Sequence, residues 1–289
     1  MILKTFFSHG IGDMIKLSHL PPLNCMNYLY ENYGHKLNVY HYWPWAGYGH
    51  YMHYRNPALN EVFSYMHREP WVEFNSDVSQ ILEEEYLIKE GIMPQESNRS
   101  PFWYVLNDHE KEFLKEKLGS NQMRVGIQAA GGRWDAAITQ RKIWPQDRYV
   151  SVINYLQSIG FKVFVFAHYD NDIGLIEQID SVEFIRGYDL NITLEIAKNM
   201  SLIIGPDSFL KYMSFFYRIP SVILFSRFHK FSEDGIHTVD MTFEEQWQGF
   251  FAPASPNEDI NIILNKDGIS CSEVSAEEVI ETIKRLGFE

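Results

Sequence analysis

Only two cysteines, Cys25 and Cys271, occur in 289 residues, too few for a disulfide framework or a cysteine zinc site. A reducing, cytoplasmic setting fits that scarcity. Long apolar runs are missing as well. The most apolar stretch, Met200 to Phe225, is broken by Lys211 and Arg218 well short of the ~18 residues that a membrane span needs. Met1 to Asp13 has no apolar core of signal-peptide length, so a soluble, non-exported protein with no membrane span is expected. Positive charge is in short supply, with 25 Lys and Arg against 38 Asp and Glu and a formal net charge of −13. That balance argues against nucleic acid as a partner, because a phosphate backbone is gripped by clustered Lys and Arg. It leaves room for a local basic pocket around one small anion. No low-complexity tract and no fixed-period repeat is present, which excludes solenoid and disordered classes.

What remains is ordinary globular composition, 45% hydrophobic and 22% charged, with an unusual 15% of aromatics concentrated in the first third. At this length two domains of roughly 120 to 170 residues are the natural expectation. The boundary is placed at Gly119-Ser120-Asn121, giving a domain over 1–120 and another over 121–289.

In the first domain, Ile2 to Phe7 reads as a strand that runs into Ser8-His9-Gly10-Ile11-Gly12-Asp13. Two glycines before a helix let the backbone approach an anion, although a Gly-x-Gly is equally the mark of a tight strand-to-helix turn. Leu37 to Tyr42 reads as a second strand. It enters an aromatic and histidine cluster that contains Trp43, Trp45, His50 and His53. Such a loop can be a platform for the apolar faces of sugars or simply a packed aromatic loop. No Asp, Glu or Cys accompanies His50 and His53 at ligand spacing, so no metal site is assigned there. Trp71 to Phe74 is a candidate third strand, the Glu83-Glu84-Glu85 run a solvated helix face, and Asn107 to Leu118 a helix stopped by Gly119.

From Met123 onward the pattern becomes regular. Apolar runs at 124–127, 162–166, 182–185, 202–204 and 221–225 alternate with helical segments near 146–158, 172–178, 192–199 and 208–217. This alternation predicts a parallel, doubly wound α/β sheet. Ser275, with Glu278 three residues later, announces a last helix over 275–286. The segment 249–266 shows no pattern. Gly205-Pro206-Asp207-Ser208 lies between a strand and a helix, where the crevice beyond the strand ends takes ligands in open parallel sheets. Asp207 or Ser208 can be the helix cap there, and Asp207 can instead be a ligand contact.

Four blocks in order and spacing resemble the heptosyltransferase-like glycosyltransferases, glycosyltransferase family 9 of the GT-B fold. They are Gly-Ile-Gly-Asp-Met-Ile at 10–15, Thr139-Gln140-Arg141-Lys142-Ile143-Trp144-Pro145, Gly205-Pro206-Asp207-Ser208, and Pro220 through Leu224-Phe225. The chain departs from the family in having Phe209 where Gly usually follows Ser, Lys211 where a His usually stands three residues after that Ser, and Ser226-Arg227 where Gly usually follows Leu-Phe. The resemblance implies two Rossmann-like domains facing across a cleft, the N-terminal one reduced. It implies inverting, metal-independent transfer of a sugar from a nucleoside-diphosphate sugar to a hydroxyl of a glycan, lipid-linked or other acceptor, with no cofactor beyond that donor. Asp13 is then the expected base. Gly12, Thr139, Lys142, Trp144, Gly205, Asp207, Ser208 and Lys211 are expected at the donor, and His9, Trp43, Trp45 and His50 at the acceptor. The diphosphate needs cationic or helix N-terminal stabilisation, for which Arg141, Lys142 and Lys211 are the candidates. Rival readings are a nucleotide-sugar epimerase of similar build and a protein that binds a nucleotide sugar without turning it over.

Overall fold

A computed structural model describes residues 2–8, 36–42, 59–65, 106–119, 122–129, 140–167, 173–188, 190–231, 238–250 and 257–289, the first three segments by their backbone. The chain divides into two compact units, one of residues 1–111 with 189–191 and one of residues 112–188 with 192–289.

In the first unit three strands, β1 (Ile2–Ser8), β2 (Lys36–Tyr42) and β3 (Leu59–Tyr65), form a parallel sheet in the order β1-β2-β3. β1 and β2 run in unbroken register from Ile2 opposite Lys36 to Ser8 opposite Tyr42. Parallel neighbours require crossover connections, so this unit is built from strand-crossover-strand steps. The third strand is Leu59–Tyr65, a stretch whose Leu, Val, Phe and Tyr alternate with Asn, Glu and Ser and so carry the strand period. The expected strand at 71–74 lies outside the described residues.

The division between the units falls within α1 (Asp108–Leu118). Asn107 accepts a hydrogen bond from the Glu110 N–H at 2.9 Å while Glu110 accepts from the Asn107 N–H at 2.8 Å, and Gly119 ends the helix with φ +71°. Then follow β4 (Arg124–Gln128), α2 (Gln146–Ser158), β5 (Lys162–Phe166), β6 (Val182–Ile185), α3 (Leu190–Lys198), β7 (Leu202–Pro206), α4 (Phe209–Tyr217) and β8 (Ser221–Leu224). A two-stranded antiparallel ribbon, β9 (His229–Phe231) with β10 (Thr238–Asp240), precedes α5 (Phe243–Phe250), β11 (Asn261–Leu264) and α6 (Ala276–Arg285). Six strands form one all-parallel sheet in the order β11-β8-β7-β4-β5-β6. The chain winds outward from β4 through β5 to β6, returns to lay β7 on the other side of β4, and continues outward through β8 to β11. Its direction of winding therefore reverses between β4 and β7.

Two of the sequence expectations are corrected here. A helix was expected over 172–178, but within the described residues only a 3₁₀ turn at Ile176–Gln178 forms. Gly174 falls inside that segment, and Ile173 and Ile176 are needed as separate plugs in the core, both almost fully buried. The patternless segment 249–266 contains the edge strand β11, whose four residues are too few to show a period.

The core follows from residue spacing. α2 buries Tyr149, Val152, Ile153 and Leu156, a stripe at helical period, and α6 buries Ala276, Val279, Thr282 and Ile283 in the same manner. Ser275 and Glu278 form both halves of the capping box that starts α6, at 3.2 and 2.7 Å. Against these helices lie the apolar residues of the strands, including Val125, Ile127, Val163, Val165, Leu202, Ile204, Val222 and Leu224.

Candidate functional site

β4 and β7 are neighbours at the point where the winding reverses, and the crevice beyond their carboxyl ends is where open α/β sheets bind ligands. Gly205 brings the two strand ends together. A Cβ at this position would lie 2.8 Å from the Gln128 Cβ and 3.0 Å from the Gln128 carbonyl oxygen, so no other residue fits without parting β7 from β4. After Pro206 the chain leaves the sheet, and Ser208 occupies the cap position of α4.

Asp207 is buried here, 4% exposed, beneath two lysines. Lys211, on the first turn of α4 four residues on, has no solvent exposure and forms an ion pair with the Asp207 Oδ1. Lys142 approaches from the segment before α2. It donates to the Asp207 backbone carbonyl at 2.6 Å, stands 4.0 Å from the Asp207 Oδ2, and lies over the Phe228 ring at 4.3 Å. Gln246, on α5 and fully buried, adds a side-chain hydrogen bond to the same carboxylate and donates to the Ser226 carbonyl at 3.1 Å. Desolvation works against the charged form of Asp207. The two ammonium groups and the hydrogen bonds from Lys211 and Gln246 outweigh it, and the carboxyl titrates below the usual carboxylate range.

The amino end of α4 is closed by a residue that the sequence did not single out. Gln128, the last residue of β4, accepts from the Leu210 N–H at 3.3 Å and donates to the Ser208 hydroxyl at 2.6 Å. The helix cap is therefore supplied by the neighbouring strand. Of the two residues read from the sequence as possible caps, Ser208 takes the cap position and Asp207 holds the lysines. Phe209 occupies the first helical position and meets Phe166 edge to face with ring centroids 6.0 Å apart.

The other expected residues are placed as follows. Trp144 is 1% exposed, donates its indole N–H to the Val274 carbonyl at 2.8 Å, and packs edge-on against Tyr149. It thereby fixes the backbone two residues beyond Lys142. Arg141 points to Asp240, 2.7 Å away, and toward the Arg227 carbonyl at 3.4 Å, which ties the segment before α2 to β10. Cys271 is buried, and burial pushes its thiol up to about 12, far from a thiolate nucleophile at neutral pH. The candidates Thr139, Gly12, Asp13, His9, Trp43, Trp45 and His50 lie outside the described residues.

Gln246 had a readable signal. Thr242 and Glu245 exchange hydrogen bonds at 2.8 and 3.2 Å as a capping box, the sequence signature that announces α5. Gln128 had a weaker one, a polar residue closing an apolar strand run at a strand end.

No protein-family model matches the sequence, and no curated protein matches it. Solved structures do match. The chain is similar to a family 9 glycosyl transferase from Veillonella parvula DSM 2008, with a TM-score of 0.58 and 13% identity over 99% of this chain and 96% of that one. It is similar to ADP-heptose lps heptosyltransferase II of E. coli, with a TM-score of 0.59 and 13% identity over 99% and 98%. It is also similar to the E. coli heptosyltransferase WaaC solved with ADP, with a TM-score of 0.56 and 12% identity over 99% and 98%. At such identity the likeness is one of backbone, and it runs along nearly the whole chain. The resemblance carried by four short sequence blocks thus extends to the architecture, and the chain has the α/β fold of the GT-B glycosyltransferases.

Proposed function

We propose that this protein is a glycosyltransferase that moves a sugar from a nucleoside-diphosphate sugar to an acceptor hydroxyl, with inversion and without a metal. The observation that carries the reading is the convergence of Lys142 and Lys211 on Asp207 at the β4–β7 reversal. Two ammonium groups around one carboxylate at a strand-end crevice supply the positive field that a departing diphosphate requires. In this reading the 121–289 domain holds the donor. Lys142 faces the diphosphate, Asp207 orients the lysines, and Ser208 with the α4 start borders the phosphates. Trp144 and Gly205 contribute by shaping the backbone around them. The 1–120 domain presents the acceptor beside His9, Trp43, Trp45 and His50, and Asp13 takes the proton from the attacking hydroxyl. The structures that share this fold include proteins named as heptosyltransferases, one of them solved with ADP, which supports a nucleotide-sugar donor.

A second reading has its own support. Phe209 at the first helical position of α4 and Lys211 two residues on stand where the resembling family usually has Gly and His, a departure that favours a protein that holds a nucleotide sugar without transferring it. Transfer at saturating donor separates the readings. Asp13→Asn keeps a helix-capping side chain and removes the base, so it is expected to slow transfer by roughly 100- to 10,000-fold with donor affinity and melting temperature nearly unchanged. A variant within a few-fold of the wild type removes Asp13 from the chemistry. Donor binding with no transfer to any acceptor establishes the second reading instead.

A further inference from the structure

Arg186 follows the last residue of β6, on the same carboxyl rim of the sheet as Asp207. Gln128, Phe166 and Ile185 stand opposite one another at the ends of β4, β5 and β6, so Arg186 takes the next position along that rim. Its guanidinium is held in two ways. Nη1 pairs with Glu177 at 2.6 Å, and the Cζ lies over the Phe184 ring at 4.7 Å, as the two-residue spacing of side chains along a strand permits. Its other edge makes no hydrogen bond among the described residues. Nε and Nη2 are both buried, and neither has a hydrogen-bond partner among the described residues.

These two nitrogens form the lateral fork of the guanidinium, with two N–H bonds pointing the same way. A buried donor with no acceptor is costly, and two on one rigid fork call for a single partner that presents two adjacent acceptors. From β7, at whose carboxyl end Lys142 and Lys211 meet Asp207, to β6 is three strand spacings, roughly 14 Å. A nucleoside diphosphate with its phosphates at the β4–β7 reversal and its base lying along the rim toward β6 covers that distance.

We propose that Arg186 reads the nucleobase of the donor and selects one with two adjacent acceptors. Guanine offers O6 with N7, and cytosine offers O2 with N3. Adenine sets an amino donor beside N7, and uracil alternates acceptor, donor, acceptor, so neither fills the fork. The inference rests on the reading of a nucleoside-diphosphate donor given above, and its failure can be told apart from the failure of that reading.

Calorimetric titration of the full chain with ADP, UDP, GDP and CDP tests it, with Arg186→Lys alongside as the variant that keeps the charge and loses the fork. GDP or CDP is expected to bind the wild type on the order of 10- to 100-fold more tightly than ADP and UDP, the discrimination of one bidentate contact. GDP against CDP then identifies which acceptor pair is read. In Arg186→Lys the preference should shrink to within about threefold while the weaker nucleotides bind as before, since only the fork is lost. Tightest binding of ADP or UDP, or a guanine or cytosine preference that survives Arg186→Lys, overturns the proposal and leaves the diphosphate site standing. Absence of binding by all four overturns the diphosphate reading, and this inference falls with it. Melting curves establish that the variant is folded. If it is not, the wild-type ranking alone decides, with GDP or CDP tightest supporting the proposal and ADP or UDP tightest overturning it.

Discussion

Lys142 and Trp144 are separated by one residue, both are buried, and they are held by different physics. Trp144 belongs to an apolar seam where α2, α6 and the strands interlock, and its one polar atom is satisfied by the Val274 carbonyl. Lys142 belongs to a polar knot in which a carboxylate, two ammonium groups and an amide share a water-poor space. Burial stabilises the seam through area removed from water and dispersion contacts. In the knot burial opposes every charge, and stability there depends on each partner being present. A fold has no need of the second arrangement for its own sake. Its presence at the point where the sheet winding reverses is the observation on which the proposed donor site rests.

The contrast can be broken most forcefully at the seam. Trp144→Ala leaves a large void, while the Val274 carbonyl keeps the Arg148 guanidinium as donor at 2.6 Å, and should cost about 3 to 5 kcal/mol by denaturant unfolding. No second substitution is expected to restore it cheaply. The knot should behave otherwise. Asp207→Asn strands Lys211 as a buried charge without its carboxylate, also a loss of about 3 to 5 kcal/mol. Adding Lys211→Met should recover most of that loss, because the charge that lacked a partner is gone. Equal stability of the single and double variants would show that Lys211 does not depend on Asp207.

Acid sharpens the same comparison more gently. Because the Asp207 carboxyl titrates below its unfolded value, its contribution is fully present above the unfolded pKa of about 3.9 and is lost as pH falls through the lower folded value. The wild-type melting temperature should therefore drop more steeply below about pH 4 than that of the Asp207→Asn, Lys211→Met double variant. Parallel acid limbs would take Asp207 out of the acid response. The smallest effect belongs to the edge of the seam. Ser275→Ala removes half of the α6 capping box and should lower stability by about 1 kcal/mol, with Ser275→Asp nearly silent.

The seam was legible in the sequence and the knot only in part. α2 and α6 declare themselves through apolar residues at helical period and, for α6, through the Ser275 and Glu278 cap, all within one segment. Parallel order was legible too, because strands and helices alternate at the spacing of crossovers. Asp207 and Lys211 stand four residues apart, a pairing distance on a helix, yet nothing local shows that both are buried. Gln128 reaches Leu210 across 82 positions of chain, a distance that only the assembled sheet closes. Arg186 is similar, since a residue just beyond a short strand gives no hint that two of its nitrogens lack partners among the described residues. The expected helix at 172–178 failed because its apolar residues fit a helical period in so short a window that a 3₁₀ turn satisfies them equally.

The central claim is that the polar knot is the seat of a nucleoside diphosphate, and Lys142 is the residue to ask. Calorimetry of the tightest-binding nucleoside diphosphate with the wild type and Lys142→Ala, each shown to be folded by its melting curve, measures it directly. The account predicts a loss of about 1.5 to 3 kcal/mol in binding free energy, the worth of a charge-assisted hydrogen bond, and a weaker dependence of affinity on salt. Equal affinity in the two proteins would contradict it and place the anion, if there is one, elsewhere on the sheet.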